Sequence, residues 1–262
     1  MEQAAKAYDH ARRLEETKDR ILAASRLLQT DAAGYRLWDT PNGRYWIPNG
    51  SDYVLPWNLS EQENKIYGVG ELGVRPGDVV LDCGANVGVY VREALEAGAR
   101  LVVAVEPAPE NLECLQRNFE PEVASGSIVI YPKGVWDKDD FLTINVAPGN
   151  PAADSFVIRP EGSHEGERLP LTTIDKLVAE LKLPRVDYIK MDIEGAEQRA
   201  LAGAASTIGK FHPRLALSTY HRPDDPERIP AIVRGLWPGY RMECGPCAYA
   251  NGRIRPDVLY FR

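Results

Sequence analysis

The sequence predicts an α/β fold built around a mostly parallel sheet. Short apolar runs alternate with amphipathic stretches along the 262 residues, and a glycine-rich turn follows one of the apolar runs. This alternation is typical of βαβ units, whose helices cover both faces of a parallel sheet. The length fits one large domain with an appendage, so we divide the chain into an N-terminal appendage, residues 1–60, and a main domain, residues 61–262.

The appendage is predicted to hold a helix and a β-hairpin. Residues 4–30 carry an apolar stripe at helical spacing. Packing against the main domain is the simplest role for this helix, with formation of a homodimer or capping of a substrate pocket as alternatives. Two aromatic-rich runs within 35–47 flank Pro41-Asn42-Gly43, which is a hairpin signal. Ser60 and Glu63 then have the spacing of a capping box, which predicts that a helix begins there.

Strands and helices alternate through the main domain. The predicted strands are 79–83, 101–105, 128–131, 188–191, 215–219, 240–244 and 258–261. The predicted helices are 87–97, 109–119, 174–181, 196–205 and 226–236. No helix separates the last two strands, which indicates an antiparallel pair at one sheet edge. In the middle of the domain we expect short strands at 141–146 and 156–158, and a mobile Gly- and Pro-rich loop over the sheet edge within 147–168.

Composition limits the partners of the protein. The formal net charge is −7 and the isoelectric point is about 5.3, and no cluster of Lys and Arg offers the basic surface that binds phosphate backbones. We therefore expect no nucleic-acid partner and favour a small or neutral molecule. No apolar run approaches the ~18 residues that span a bilayer, and residues 1–20 lack an apolar signal core. The expected location is the cytoplasm, with no membrane partner.

The four cysteines fall into two pairs with different surroundings. Cys83 and Cys114 lie in predicted core elements, where a reduced thiol acts as a small hydrophobe. Cys244-Gly-Pro-Cys247 is a CxxC motif near the C-terminus. It lacks the second ligand pair of a structural zinc site and the helix start of a thioredoxin-type redox pair. Two thiols in a tight turn is the preferred interpretation, and a redox or metal role is the alternative.

The glycine-rich turn after the first main-domain strand predicts the ligand. Its spacing is Gly84-x-Asn86-x-Gly88, which differs from the GxGxxG of dinucleotide-binding folds. Asp82 at the end of the strand would repel a pyrophosphate and suits a ligand with a positive amino group. Glu106 ends the second strand, where a carboxylate can accept both hydroxyls of a ribose. S-adenosylmethionine has these features, whereas NAD fits them poorly.

Four motifs resemble those of a known family. Asp82-Cys-Gly-Ala-Asn-Val-Gly88, Glu106-Pro, Lys190-Met-Asp-Ile-Glu-Gly-Ala-Glu197 and Tyr220-His221 together resemble the FkbM family of class I S-adenosylmethionine-dependent methyltransferases. The resemblance begins near residue 76 and reaches the C-terminus. It implies a Rossmann-like fold with a seven-stranded sheet of order 3-2-1-4-5-7-6, in which strand 7 is antiparallel. It also implies S-adenosylmethionine as donor and a hydroxyl of a sugar, glycolipid or polyketide as acceptor.

The resemblance also implies roles for individual residues. The turn would contact the methionine part of the donor, Glu106 the ribose, and the stretch 134–137 after the third strand the adenine. The residues expected to hold the donor are Asp82, Gly84, Asn86, Gly88, Glu106, Gly134, Val135, Asp137 and Asp192.

Two residues are candidates for removing a proton from an alcohol acceptor. Asp192 and Glu194 follow the fourth strand and His221 follows the fifth, so all three should face the ligand crevice. His221 is the preferred base because imidazole titrates near neutral pH, and Asp192 is the second choice. These residues and Asp224-Asp225 could instead hold Mg²⁺. We expect no metal, because Glu194 and the aspartate pair can serve as helix caps.

We therefore expect a methyltransferase that acts on a hydroxyl of a small molecule. An N- or C-methyltransferase with the same donor is one alternative, and a non-catalytic S-adenosylmethionine-binding protein is another. A nicotinamide-dependent dehydrogenase is the least favoured class.

Overall fold

The computed structural model describes residues 2–147, 154–159, 161–250 and 253–262. The helices are α1 (Glu2–Ala24), α2 (Val54–Glu63), α3 (Val89–Glu96), α4 (Pro109–Asn118), α5 (Glu120–Ser125), α6 (Ile174–Glu180), α7 (Glu197–Ala202), α8 (Ala205–Phe211) and α9 (Asp225–Leu236). The strands are β1 (Arg26–Thr30), β2 (Arg36–Thr40), β3 (Gly43–Ile47), β4 (Val79–Cys83), β5 (Leu101–Val105), β6 (Ile128–Tyr131), β7 (Gly134–Val135), β8 (Asp140–Val146), β9 (His164–Thr172), β10 (Tyr188–Met191), β11 (Arg214–Ser218), β12 (Met242–Cys244), β13 (Cys247–Ala250), β14 (Arg253–Pro256) and β15 (Val258–Phe261).

The main sheet has seven strands in the order β6-β5-β4-β10-β11-β15-β12. Counted along the chain, this order is 3-2-1-4-5-7-6, and β15 is antiparallel to both of its neighbours. The predicted topology is confirmed. Parallel strands must be covered on both faces, so they appear in the sequence as continuous apolar runs, and this made their positions predictable.

Helices cover the sheet on both faces. Leu81 and Cys83 of β4 face a cluster that includes residues of α6, α8 and α9, whereas Val80 faces a cluster that includes α3 and α4. The alternation of side chains along a strand explains this division. It also places Asp82 on the same face as Val80, directly beside Lys190 of β10 in the strand register.

The first helix is shorter than predicted. α1 ends at Ala24, and 26–30 form β1, which pairs antiparallel with β2. The prediction of one helix over 4–30 is therefore wrong at its end, because pairing with β2 outweighs a weak helical propensity. The hairpin of β2 and β3 is confirmed.

The appendage packs directly onto the main domain. Ile21, Tyr45 and Ile47 share a buried cluster with Val87 and Val89. The division at residue 60 stays a prediction, and α2 crosses that boundary.

Ser60 was predicted to begin a helix but instead lies in the last turn of one. α2 spans Val54–Glu63, and the Ser60 hydroxyl donates to the Trp57 carbonyl at 2.8 Å rather than capping a helix start. Leu55 and Leu59 are buried on one side of this helix. Their packing fixes α2 upstream of the capping-box spacing, which has no structural role here.

The middle of the chain contains more strand than expected. Part of the predicted loop, 148–153 and 160, lies outside the described residues, but His164–Thr172 forms the long strand β9 beside β8. The short strand expected at 156–158 does not form, and only Ser155 makes a bridge, with Asn145. Pairing between distant segments decides these strands, so local composition alone did not indicate them.

Cys83 and Cys114 are buried free thiols, as predicted, and Cys244 and Cys247 are free thiols on either side of the turn between β12 and β13.

In the described part of the chain, no helix combines the length and the apolar character needed to cross a bilayer.

Candidate active site

A cavity of about 440 Å³ lies at the carboxyl ends of β4, β5 and β10. This is where open α/β sheets bind ligands, because the loops that follow parallel strands diverge there. Six of the residues expected to hold a donor line it, namely Gly84, Asn86, Glu106, Gly134, Val135 and Asp192. Another part of the wall consists of Tyr53, Trp57 and Glu61, at the start of α2 and within it.

Four of the expected site residues do not line the cavity. Asp82 is fully buried below it, and Gly88 packs against the ring of Phe119. Asp137 forms an ion pair with Arg199. His221 lies behind Asp192, and its side chain is 3% exposed.

The turn after β4 requires glycine at its first position. Gly84 has a φ of +82°, and a Cβ there would lie 1.9 Å from the Asp192 carbonyl oxygen. No side chain can occupy that space, so the two strand-end turns approach each other through backbone alone. Asn86 has a φ of +50°, a conformation that asparagine tolerates better than most residues.

Glu106 is held by the backbone of two loops. Its Oε2 accepts a hydrogen bond from the Asn86 N–H at 2.9 Å, and its Oε1 accepts one from the Ala108 N–H at 2.9 Å. Burial raises the pKa of Glu106 to about 7, although these two hydrogen bonds act in the opposite direction. Near neutral pH, this carboxyl group therefore exchanges between its ionised and protonated forms.

Asp82 has a protein cation as its partner. Lys190 Nζ lies 3.2 Å from Asp82 Oδ1 and donates to the Gly84 carbonyl at 2.9 Å. Both side chains are almost fully buried, and the ammonium also lies 5.2 Å from the centroid of the Tyr67 ring. Lys190 lines the cavity, so the positive charge that faces a ligand from this side belongs to the lysine.

Two tyrosine hydroxyls hold the Asp192 carboxylate at the cavity wall. Tyr67 donates to Oδ2 at 2.7 Å, and Tyr220 donates to Oδ1 at 3.2 Å. Burial acts to raise the pKa of Asp192, but Lys190, His221 and the Tyr67 hydrogen bond outweigh it, so the pKa is lowered. Asp192 is thus a stable anion at neutral pH.

His221 is surrounded by acids. Its Nδ1 lies 2.9 Å from Glu197 Oε1, and its Nε2 lies 3.3 Å from Glu194 Oε1 and 3.5 Å from Asp192 Oδ1. Burial acts to lower the pKa of His221, but Glu197 and Glu194 overcome it and raise the pKa well above its ordinary value. The imidazole is therefore protonated at neutral pH.

The same cluster contains the potential metal ligands. Asp192, Glu197 and His221 each offer a ligand atom within 4.8 Å of the others. The imidazolium is already the positive partner of these acids, so a cation would have to displace its proton first. Asp225 is engaged elsewhere, because it accepts hydrogen bonds from Gln198 and from the Arg222 N–H. A Mg²⁺ site stays an untested alternative.

Three residues of the cavity and its charge cluster were not predicted from the sequence. Glu61, Tyr67 and Glu197 were not named as candidates, although all three contribute to the cavity or to the charge cluster behind it. Glu197 stands inside a quoted motif, and Tyr53, Trp57 and Glu61 have the four-residue spacing that places them on one helix face. That spacing was a usable signal, but it depended on finding α2 first.

The sheet order and the cavity define the fold as that of a Rossmann-like class I methyltransferase. Comparison with known sequences narrows the class. Residues 82–242, more than half of the chain, match the family described as the methyltransferase FkbM domain. The protein belongs to the FkbM methyltransferase family.

Individual relatives are distant. The chain is 26% identical over 157 residues to the 31-O-demethyl-FK506 methyltransferase FkbM of Streptomyces tacrolimicus. The match covers 50% of this chain and 60% of the relative. It is 27% identical over 204 residues to the AMB antimetabolite synthetase AmbE of Pseudomonas aeruginosa. That match covers 60% of this chain and 9% of the other protein. The match thus spans less than two thirds of either relative.

A solved structure supports the fold alone. The methyltransferase FkbM of Methylobacillus flagellatus KT superposes with a TM-score of 0.55 at 18% identity, covering 98% of this chain and 60% of the other.

Proposed function

We propose that the protein transfers a methyl group from S-adenosylmethionine to a hydroxyl of a small molecule. The observation that carries this proposal is the cavity at the carboxyl ends of β4 and β5, with Gly84 and Glu106 on its donor side. Membership of the family supports methyl transfer, and the family member from Streptomyces tacrolimicus is named for transfer to an oxygen.

The donor side of the cavity fits S-adenosylmethionine. Gly84 lines the cavity, and because it has no side chain its turn packs directly against the Asp192 carbonyl, so backbone forms this part of the donor side. Glu106 would offer a carboxylate to the ribose hydroxyls, and Val135, which also lines the cavity, would contact the adenine. The turn after β4 lacks the GxGxxG spacing, and the GxGxxG string at 68–73 lies in the loop before β4 and opens no helix, which argues against a dinucleotide.

The charge of the cavity wall also suits this donor. Five carboxyl groups line it, of which Asp192 is ionised and Glu106 partly ionised at neutral pH, and Lys190 is the single lysine or arginine among the described lining residues. A sulfonium and an ammonium carry positive charge, so both are stabilised in such a field, whereas a polyanionic acceptor is repelled. The acceptor is therefore uncharged or cationic.

The chemistry needs an activated methyl group, which the donor supplies when bound. The protein must hold the acceptor oxygen in line with that methyl group and keep water away. In this arrangement Asp192 is an anion that stabilises nearby positive charge, and His221 fixes the Asp192 and Glu194 side chains from behind. A lowered pKa makes a carboxylate a weak base, and a protonated imidazole cannot accept a proton, so neither residue is well suited to deprotonate an alcohol.

The test is a titration of S-adenosylhomocysteine into the protein by calorimetry and thermal melting, with and without EDTA. Saturable binding should raise the melting temperature, because ligand that binds only the folded state stabilises it by RT ln(1 + [L]/Kd). Gly84→Ala is the matched variant in which this binding should be lost. A wild-type protein that binds no S-adenosylhomocysteine under either condition would refute the proposal.

Two further results separate the alternatives. Binding without turnover of any acceptor would identify a non-catalytic donor-binding protein. Protection against melting by NADH but not by S-adenosylhomocysteine would indicate a dehydrogenase.

A further inference from the structure

One face of α2 forms part of the cavity wall outside the donor side. Tyr53, at the start of this helix, precedes Trp57 and Glu61 at intervals of four residues, and all three line the cavity. Side chains at this spacing lie in a row along a helix. The two rings form an edge-to-face pair with centroids 6.2 Å apart, and Lys18 of α1 lies 5.0 Å from the centroid of the Trp57 ring. The row therefore consists of an aromatic platform that ends in a carboxylate.

Glu61 differs from the other acids of the cavity wall. The remaining four are engaged: Glu106 and Asp154 accept backbone N–H groups, Asp192 accepts two tyrosine hydroxyls, and Glu194 faces the imidazole of His221. Among the described residues, none donates a hydrogen bond to the Glu61 side chain, and none forms an ion pair with it. Its oxygens are consequently free to contact a ligand.

The surroundings of Glu61 give it affinity for a proton. Burial raises its pKa well above the ordinary value, and the negative charges of Asp192 and Asp257 act in the same direction. Lys190 opposes them without cancelling the shift. In its ionised form Glu61 is therefore a stronger base than Asp192, whose pKa is lowered.

We propose that α2 forms the acceptor subsite and that Glu61 is the group that takes the proton of the acceptor hydroxyl. This inference rests on the proposed function. As the acceptor oxygen forms its bond to the methyl carbon, the carbon–sulfur bond breaks and its electron pair returns to sulfur. The hydroxyl proton passes to a Glu61 carboxylate oxygen and later to solvent. The acceptor is a molecule with an apolar or ring face next to its hydroxyl, because that face would stack on Trp57.

The experiment uses two donor analogues, so it needs no knowledge of the acceptor. S-adenosylhomocysteine lacks the transferred methyl group. Sinefungin has a carbon in place of the sulfur and carries an amine at the position of that methyl group. A carboxylate that receives the acceptor proton lies next to this amine and pairs with it. Wild-type protein should therefore bind sinefungin more tightly than S-adenosylhomocysteine, by roughly 10- to 100-fold for a charge-assisted hydrogen bond.

The variant Glu61→Gln should lose this preference while its affinity for S-adenosylhomocysteine stays unchanged. Glu63→Gln is the matched control, because it lies on the same helix outside the cavity and pairs with Arg20 on the surface. It should keep the wild-type preference. Asp192→Asn tests the competing assignment, in which Asp192 rather than Glu61 pairs with the sinefungin amine.

Three outcomes overturn the inference. Equal weakening of both analogues by Glu61→Gln would place Glu61 at the amino-acid end of the donor. Retention of the preference in Glu61→Gln, with its loss in Asp192→Asn, would assign the proton to Asp192. If wild-type protein binds neither analogue, the proposed function itself fails, and that result is distinct from the first two.

Discussion

His221 Nδ1 lies 2.9 Å from Glu197 Oε1, and both side chains are almost completely removed from solvent. The backbone N–H of Ile193 also donates to this Glu197 oxygen at 3.0 Å. The pair therefore connects the loop after β11 to the loop after β10. It fixes the segment that carries Asp192 and so determines the shape of the cavity wall.

Replacing His221 by Gln should destabilise the protein. Removing one partner of a buried ion pair leaves the other charge uncompensated, which costs about 3–5 kcal/mol. Unfolding in urea, followed by circular dichroism, measures this change. A variant within about 0.5 kcal/mol of wild type would show that the pair contributes nothing beyond an ordinary surface contact.

The same pair predicts a pH dependence of stability. The pKa of His221 is higher in the folded chain than in the unfolded chain, where it is about 6.5. Its contribution is full below that unfolded value and is lost as the pH rises through the folded value. The difference in unfolding free energy between wild type and His221→Gln should thus be larger at about pH 6 than at about pH 9. A difference that grows with pH would contradict a protonated imidazole.

Replacing Gly84 by Ala should harm both the fold and donor binding. Gly126→Ala is the control, because Gly126 also has a positive φ, +79°, but has no atom within 4 Å of a Cβ. The free energy of unfolding of the control should fall by about 1 kcal/mol, the cost of alanine in the left-handed region. The free energy of unfolding of Gly84→Ala should fall clearly more, since its Cβ collides with the Asp192 carbonyl. Equal losses in thermal melting would mean that the two turns separate easily.

Replacing Lys190 by Met should leave Asp82 buried without its cation. We expect a loss of about 3–5 kcal/mol in unfolding free energy. The double variant Asp82→Asn with Lys190→Met should recover part of that loss, because no charge then remains in the pair. Purely additive effects in this double-mutant cycle would show that the two side chains are not coupled.

Donor affinity should rise with pH through the pKa of Glu106, which is about 7. The ionised carboxylate can accept both ribose hydroxyls, whereas the protonated form has to donate at one oxygen. Calorimetric titration of S-adenosylhomocysteine at about pH 6 and about pH 8 should show up to a tenfold gain. Glu106→Gln should remove the gain. If the affinity of Glu106→Gln for S-adenosylhomocysteine still rose with pH, the effect would belong to another group.

The sequence predicted the donor side of the site better than the acceptor side. The seven strands of the main sheet were visible as apolar runs, and the ends of parallel strands necessarily meet at one edge, so Gly84, Glu106 and Asp192 could be brought together from spacing alone. The pairing of β1 with β2 and of β8 with β9 depends on partners distant from each segment, which no local pattern specifies.

Side-chain partners were harder still to predict. Strand order placed His221 near the cavity, but it could not show that Glu197 and Glu194 surround the imidazole. Similarly, Asp82 was expected to face a ligand cation, whereas Lys190 of the neighbouring strand occupies that place. In both cases a charge finds its partner across elements, and this depends on distances of a few ångströms that a sequence does not contain.

α2 supplies part of the cavity wall, and it lies before residues 82–242, the part of the chain that matches the family. The two halves of the site are therefore encoded in separate stretches of the gene. On our proposal, the ten residues of α2 act as an exchangeable cassette. Directed evolution confined to that cassette would change which molecule is methylated and leave intact the strands that hold the donor.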